Sequence, residues 1–117
     1  MGVGALPEAM FLRFPELNAY YQPAHIALLD AAAETGTLGG LWYLALLLAP
    51  WLALFTNRGR LRWTPLLIGA SGLLLALSVV GVFDYYTWLL APGRLWQWLA
   101  WGLWAVAYQA AGGGPDA

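Results

Sequence analysis

The sequence has very few groups that could hold a metal, cross-link the chain or cover a water-facing surface. Its 117 residues include no cysteine and no lysine, and His25 is the single histidine. The lack of cysteine excludes disulfides, thiolate chemistry and cysteine-bound metals, and one histidine cannot form a multi-histidine metal site within one copy. Charged residues make up 9% of the chain, against about 25% in a soluble domain. We therefore expect no metal or other cofactor, and a surface that faces mostly membrane lipid.

The charge balance and the amino-terminal residues exclude two further classes. The formal net charge is −1, so binding of nucleic acid has no electrostatic basis. Residues 1–14 are apolar but do not form a secretory signal, because no positive charge precedes them and Pro7 and Glu8 interrupt them. They are also shorter than the roughly 20 apolar residues that a membrane span needs.

The apolar runs predict an all-α membrane protein: a short extracytoplasmic interfacial helix followed by three transmembrane helices. In chain order, we expect the end of an extracytoplasmic loop over 1–22, the interfacial helix carrying His25 over 23–36, three spans over 38–55, 64–83 and 92–108, and a disordered tail over 109–117. Gly36 is placed to cap the interfacial helix, and Pro50 is expected to kink the first span or end it early.

The arginines predict the orientation of these spans. Arg58, Arg60 and Arg62 lie in the loop between the first two spans, and loops rich in arginine stay in the cytoplasm. His25 and the loop 84–91 then face the extracytoplasmic side, and the carboxyl terminus returns to the cytoplasm. A chain that begins outside with no earlier span is expected to be the C-terminal part of a larger membrane protein, or a degraded reading frame.

Four side chains on the extracytoplasmic side could take part in chemistry: His25, Glu34, Asp84 and Arg94. A histidine suits proton transfer near neutral pH, although a lone histidine at a membrane interface also needs no catalytic explanation. Glu34 is equally compatible with a structural role in an interfacial turn. Asp84 and Arg94 could pair, or Arg94 could bind an anionic phosphate; the alternative is an aromatic belt with snorkelling charges.

Two stretches of the chain carry distinctive residue patterns. The first pattern consists of His25, Leu29, Glu34, Thr35, Gly36 and Gly39, and the second of Gly81, Phe83, Asp84, Tyr86, Trp88, Gly93, Arg94 and Leu95. The first resembles the C-terminal motif of one family of bacterial membrane enzymes, the O-antigen ligases and polymerases, and the second resembles a stretch found in members of the same family. Ile26 stands where the family usually has asparagine, and Tyr85 where many of these members have a second histidine; both departures bear on activity more than on ancestry.

The resemblance implies a location, a reaction and residue roles. The family lies in the bacterial inner membrane and transfers glycan from an undecaprenyl-diphosphate carrier to a hydroxyl group of a lipid or sugar, without a metal. By resemblance, His25 acts at the acceptor hydroxyl or positions the donor diphosphate, with Glu34 as its nearby orienting group. Arg94 is the expected substrate contact at the phosphate, and Asp84 its partner.

Two other functions remain open from the sequence. The first is a small structural or accessory subunit of three spans that packs against a larger membrane protein partner through its small residues and tryptophans. The second is a pigment-binding peptide that uses His25 as an axial ligand. The second is disfavoured because His25 lies outside the predicted spans, where a pigment would be poorly buried.

Overall fold

The computed structural model describes residues 5–16 and 25–113, and every regular element within them is helical. The elements are α1 (Leu6–Arg13), α2 (Ala27–Asn57), α3 (Pro65–Phe83), α4 (Tyr86–Leu89) and α5 (Ala91–Tyr108), followed by a π-helical turn at Gln109–Gly113. The predicted all-α class is therefore confirmed. The sequence predicts the end of an extracytoplasmic loop over 1–22, and within it Leu6–Arg13 is a helix. Residues 17–24, including the predicted helix start at Pro23, lie outside the described residues.

Helix α2 begins later than the sequence predicts, and His25 precedes it. Ile26 has an extended backbone (φ −134°, ψ 110°). Its carbonyl accepts the N–H groups of Leu29 at 2.9 Å and Asp30 at 3.2 Å, which closes the first turn. A β-branched residue favours the extended conformation. His25 therefore stands at the entrance to the helix, whereas the sequence places it within a helix over 23–36.

Gly36 divides α2 into two helical segments. Its φ of 83° and ψ of 173° lie in a region open only to glycine. The break separates a short segment, 27–35, from a long segment, 37–57, that rises about 30 Å and matches the hydrocarbon thickness of a bilayer. Pro50 keeps helical backbone angles inside the long segment, which continues to Asn57 and does not end early. Neighbouring helices commonly offset the hydrogen bond that such a proline removes.

Two of the helices, α2 and α3, are long and apolar enough to cross a membrane. The start of α3 is set by local chemistry, because Thr64 Oγ1 accepts the N–H of Leu67 at 3.2 Å and proline occupies the first turn. Both helices leave large apolar side chains uncovered, including Leu38, Trp42, Phe55 and Phe83. Apolar faces of this kind are expected where a helix meets lipid.

Helix α5 packs against α3 as its antiparallel neighbour. Their shared core contains Leu54, Leu61, Leu67, Ala70, Leu74, Ala100, Trp104, Ala107 and Ala111. Although α5 has 18 residues, it is not among the helices apolar enough to span a membrane by composition. Arg94, Gln97 and four tryptophans lower its mean hydropathy, so residues 5–16 and 25–113 contain two such helices where the sequence predicts three spans.

Hydrogen bonds join the end of α2 and the turn after it to the end of α5, at the end of the bundle that the arginines predict to be cytoplasmic. Asn57 Nδ2 donates to the Tyr108 hydroxyl at 2.8 Å. The Arg62 backbone N–H donates to the carbonyl of Ala111 at 3.0 Å, and its guanidinium to that of Ala110 at 3.3 Å. The sequence predicts a disordered tail from residue 109, whereas these contacts accompany a helical turn through residue 113. Residues 114–117 lie outside the described residues.

Candidate functional site

The two stretches singled out in the sequence meet at the end of the bundle opposite Arg58, Arg60 and Arg62. The first segment of α2 lies against the end of α3 and against α4, which follows α3 directly. The central contact is a hydrogen bond of 2.9 Å from Trp88 Nε1 to Glu34 Oε2, between residues 54 positions apart in the chain. The fold therefore brings residues 25–36 and 81–95 to one place.

The face that the first segment of α2 turns inward carries acidic groups. Ala27, Asp30, Ala31 and Glu34 are buried, and Asp30 and Glu34 are only 0% and 3% exposed. Leu29 lies on the outer side and is 53% exposed. In a water-soluble helix the acidic side chains would face outward and the leucine inward, which is the opposite of this arrangement. Acidic side chains that face the interior of a membrane bundle are costly and commonly functional.

Small residues and aromatic rings form the walls around these acids. A Cβ added at Gly81 would lie 2.8 Å from Thr87 Oγ1, so the glycine permits the close approach of α3 and α4, and it would lie at an ordinary contact distance of 3.7 Å from the Cβ of Ala27 on α2. Tyr43 packs edge-on against Trp88 with ring centroids 5.1 Å apart. The Trp88 indole thus joins the acidic face of α2 to the aromatic layer beneath it.

His25 lies at the open rim of this site. Its imidazole is exposed, and its ring centroid is 5.6 Å from that of Tyr85, with the rings tilted by 36°. Glu34 is about 10 Å further along the helix axis than the first residue of α2. Tyr85 is thus one neighbour of His25 at this rim.

Asp84 and Arg94 do not form the ion pair that the sequence suggests among the described residues. The exposed carboxylate of Asp84 accepts the N–H of Tyr86 at 3.2 Å and caps the start of α4. Among the residues that the structure describes, no ion pair joins Asp84 to Arg94. Arg94 is half-buried in the first turn of α5, where its backbone N–H donates to the carbonyl of Leu90 at 3.0 Å.

Three residues in this part of the fold were not assigned to the site from the sequence: Asp30 and Gln97, which are buried, and Trp88, which is half-buried. Asp30 faces inward one turn before Glu34, and their spacing of four residues on an otherwise apolar helix was the available signal. Trp88 provides the hydrogen bond to Glu34. Gln97 on α5 is 3% exposed, and its amide oxygen and nitrogen have no hydrogen-bond partner among the residues that the structure describes. Nothing in the sequence pattern predicts its burial.

An apolar groove opens beside the site. It has a volume of about 340 Å³ and is lined by Thr35, Gly39, Trp42, Tyr43, Leu46, Trp88 and Trp98. Trp88 contributes both to this groove and to the hydrogen bond with Glu34. In the part of the chain that the structure describes, no cluster of three or more His, Cys, Asp or Glu residues is placed to hold a metal ion.

Chemically, the site combines an exposed imidazole, two inward-facing carboxyl groups and an arginine near the same end of the bundle. Such a set can accept a proton at the rim and can attract a phosphate. Comparison of the chain with known protein families, with curated proteins and with solved structures finds no match.

Proposed function

We propose that the chain is a C-terminal segment of an O-antigen ligase-like membrane glycosyltransferase. The enzyme of which it forms part would transfer glycan from an undecaprenyl-diphosphate carrier to a lipid or sugar hydroxyl at the extracytoplasmic face of the bacterial inner membrane, and the segment is incomplete for this reaction on its own. The observation that supports the proposal is the contact between the two family-like stretches, carried by the 2.9 Å hydrogen bond from Trp88 to Glu34. Two stretches so far apart in sequence have no local reason to meet.

In this proposal α5 is a third span beside α2 and α3. Its 18 residues rise about 27 Å, close to the hydrocarbon thickness of a bilayer. It packs antiparallel to α3 and ends beside the arginine-containing turn, where Tyr108 accepts a hydrogen bond from Asn57. The arginines favour a cytoplasmic position for that end, which leaves His25 and α4 outside the cytoplasm.

The residues divide the reaction between them. The acceptor hydroxyl oxygen forms a bond to the sugar's anomeric carbon, and the bond from that carbon to the phosphate oxygen breaks. The diphosphate leaves with the bonding electron pair, and the hydroxyl proton passes to the exposed imidazole of His25. Arg94 offsets the charge that develops on the diphosphate. No step requires a metal.

Glu34 and Asp84 act as positioning residues in this scheme. Glu34 holds Trp88 of α4, and α4 directly follows Tyr85, whose ring lies against His25. Asp84 caps the same short helix through its hydrogen bond to the Tyr86 N–H. Both carboxylates therefore help to position α4 and Tyr85, the residue that lies against His25. In this scheme Asp84 stabilises α4 and does not pair with Arg94.

The proposal is tested by donor binding and transfer in reconstituted vesicles. We expect the chain to bind an undecaprenyl-diphosphate-linked glycan, and Arg94→Gln to weaken that binding by about tenfold through loss of a charge-assisted contact. In the enzyme completed with the upstream spans that the family resemblance implies, His25→Ala should leave donor binding intact and abolish transfer to an acceptor hydroxyl. Arg13→Gln, which removes the same charge from α1, is the matched control. Donor binding no tighter than that of undecaprenol itself would refute the proposal.

A second candidate function is an accessory subunit of a larger membrane complex. It is favoured by the outer surface of α3, where Gly69 and Gly72 are exposed and have open space above them. Surfaces of small residues allow close contact with another helix in a membrane. Purification in mild detergent separates the two functions, because an accessory subunit co-purifies with a stoichiometric protein partner and a glycosyltransferase segment does not need one.

A further inference from the structure

We propose that the turn between α2 and α3, hereafter the arginine turn (residues 58–62), binds the phosphate headgroup of an anionic phospholipid. The inference rests on the membrane orientation proposed above, which places this turn at the cytoplasmic surface. It assigns the turn a ligand, in addition to its role in setting topology.

The arginine turn presents three guanidinium groups on a well-defined backbone. Arg58, Arg60 and Arg62 are all exposed. The turn is closed by hydrogen bonds from the N–H groups of Arg60 and Leu61 to the carbonyl of Asn57, at 2.9 and 3.2 Å. Leu61 is buried at 6% exposure and anchors the turn in the core shared by the helices. The three charges are therefore held close together without a long flexible loop.

The positive charge of the turn is not neutralised by the described residues. The sequence contains no aspartate or glutamate between Glu34 and Asp84. No described carboxylate forms an ion pair with an arginine of the turn, and Arg62 instead donates to the carbonyl of Ala110. The carbonyl end of α2 offsets part of the charge. The remaining charge is complementary to a phosphate, which a planar guanidinium binds through two parallel hydrogen bonds.

The surroundings of the turn place this charge at the level of lipid headgroups. The turn joins the two helices that are long and apolar enough to span a membrane. Phe55 and Trp63 flank it and are 66% and 52% exposed, and the guanidinium of Arg58 lies 4.5 Å from the centre of the Phe55 ring. Tryptophan is enriched at the boundary between hydrocarbon and headgroups, so Trp63 marks that level. The phosphate of a lipid headgroup is thus the anion that would lie beside the arginine turn.

The experiment is a lipid titration of the full chain in neutral detergent, followed by native mass spectrometry. Phosphatidylglycerol is compared with phosphatidylcholine of the same acyl chains. We expect tighter binding of phosphatidylglycerol, weakened about fivefold by Arg58→Gln and again by Arg60→Gln, because each basic residue near an anionic headgroup contributes comparably. Arg13→Gln removes one arginine from α1 and should leave the preference unchanged.

The outcomes separate this inference from the proposed function. Equal binding of the two lipids, or an equal loss with Arg13→Gln, overturns the inference. Displacement of phosphatidylglycerol by inorganic phosphate alone would also overturn it, since the site would then be one for a free anion. A chain that binds neither lipid contradicts the membrane location on which both proposals rest. A preference for phosphatidylglycerol with no donor binding contradicts only the glycosyltransferase.

Discussion

The indole of Trp88 and the carboxylate of Glu34 are the two side chains on which the site depends at the residue scale. Glu34 is buried among apolar and aromatic groups, where an acid without hydrogen bonds costs several kcal/mol. The Trp88 N–H offsets part of this cost at 2.9 Å, and Tyr43 supports the indole from below. A change at Trp88 should therefore affect both the stability of the bundle and the position of α4.

Replacing the Trp88 indole with a ring that cannot donate tests this contact. Trp88→Phe keeps an aromatic ring beside Tyr43 but removes the donor to Glu34. We expect the free energy of unfolding in detergent to fall by about 1.5 to 3 kcal/mol, the range for a hydrogen bond to a charged group. Trp98→Phe is the control, because Trp98 is 52% exposed and should cost much less. Equal losses at the two positions would show that the hydrogen bond contributes nothing.

Gly36 determines the shape of α2 at the element scale. Nothing lies within 4 Å of a Cβ built on it, but its φ of 83° is closed to other residues. Gly36→Ala should therefore destabilise the protein by about 1 to 3 kcal/mol through backbone strain alone. In Gly72→Ala, the new methyl group also meets open space but the backbone is helical, so stability should be unchanged or slightly higher. Thermal unfolding in detergent distinguishes the pair.

A second pair of glycines tests how closely α4 and α5 approach. A Cβ added at Gly93 would overlap the carbonyl oxygen of Tyr86, whereas one added at Gly102 on the same helix would meet open space. Gly93→Ala should force the two helices apart and cost about 1 to 3 kcal/mol. Gly102→Ala should be neutral or stabilising in the same unfolding assay. A neutral Gly93→Ala would mean that α4 does not pack where the structure has it.

The elements that the sequence predicts well are those specified by local chemistry. The sequence places the second span at 64–83, and α3 runs from Pro65 to Phe83, because a threonine cap and a proline in the first turn define its start. The break at Gly36 follows from a backbone conformation that glycine alone adopts readily. The carboxyl-terminal turn at 109–113 depends on hydrogen bonds from the distant Arg62, and the sequence gives no sign of it.

The candidate site could be predicted only in part, because its contacts are long-range. Periodicity identifies Glu34 and places it near Asp30, but it cannot say that both face inward or that Trp88 is the hydrogen-bond partner of Glu34. Likewise, the charges of Asp84 and Arg94 suggested an ion pair, yet Asp84 caps α4. The partner of each side chain depends on how α4 packs on α2, which no local pattern encodes.

At the scale of the whole molecule, the arginine turn and the candidate site lie at opposite ends of a helical bundle. Arg58, Arg60 and Arg62 occupy the turn at one end. His25 and Glu34 lie at the other end with α4. Apolar faces of α2 and α3 connect these ends. The proposed orientation follows from this separation, since positive loops stay in the cytoplasm.

The most direct test of the central claim is cross-linking of His25 to Tyr85 from outside the cell. The chain has no native cysteine, so His25→Cys combined with Tyr85→Cys gives a clean pair beside rings that are 5.6 Å apart. We predict rapid cross-linking by a short, membrane-impermeant bifunctional thiol reagent added to intact cells. His25→Cys with Gly59→Cys, at opposite ends of the bundle, should give none. Failure of the first pair to cross-link, or cross-linking only after the inner membrane is permeabilised, would contradict an extracytoplasmic site built from these two stretches.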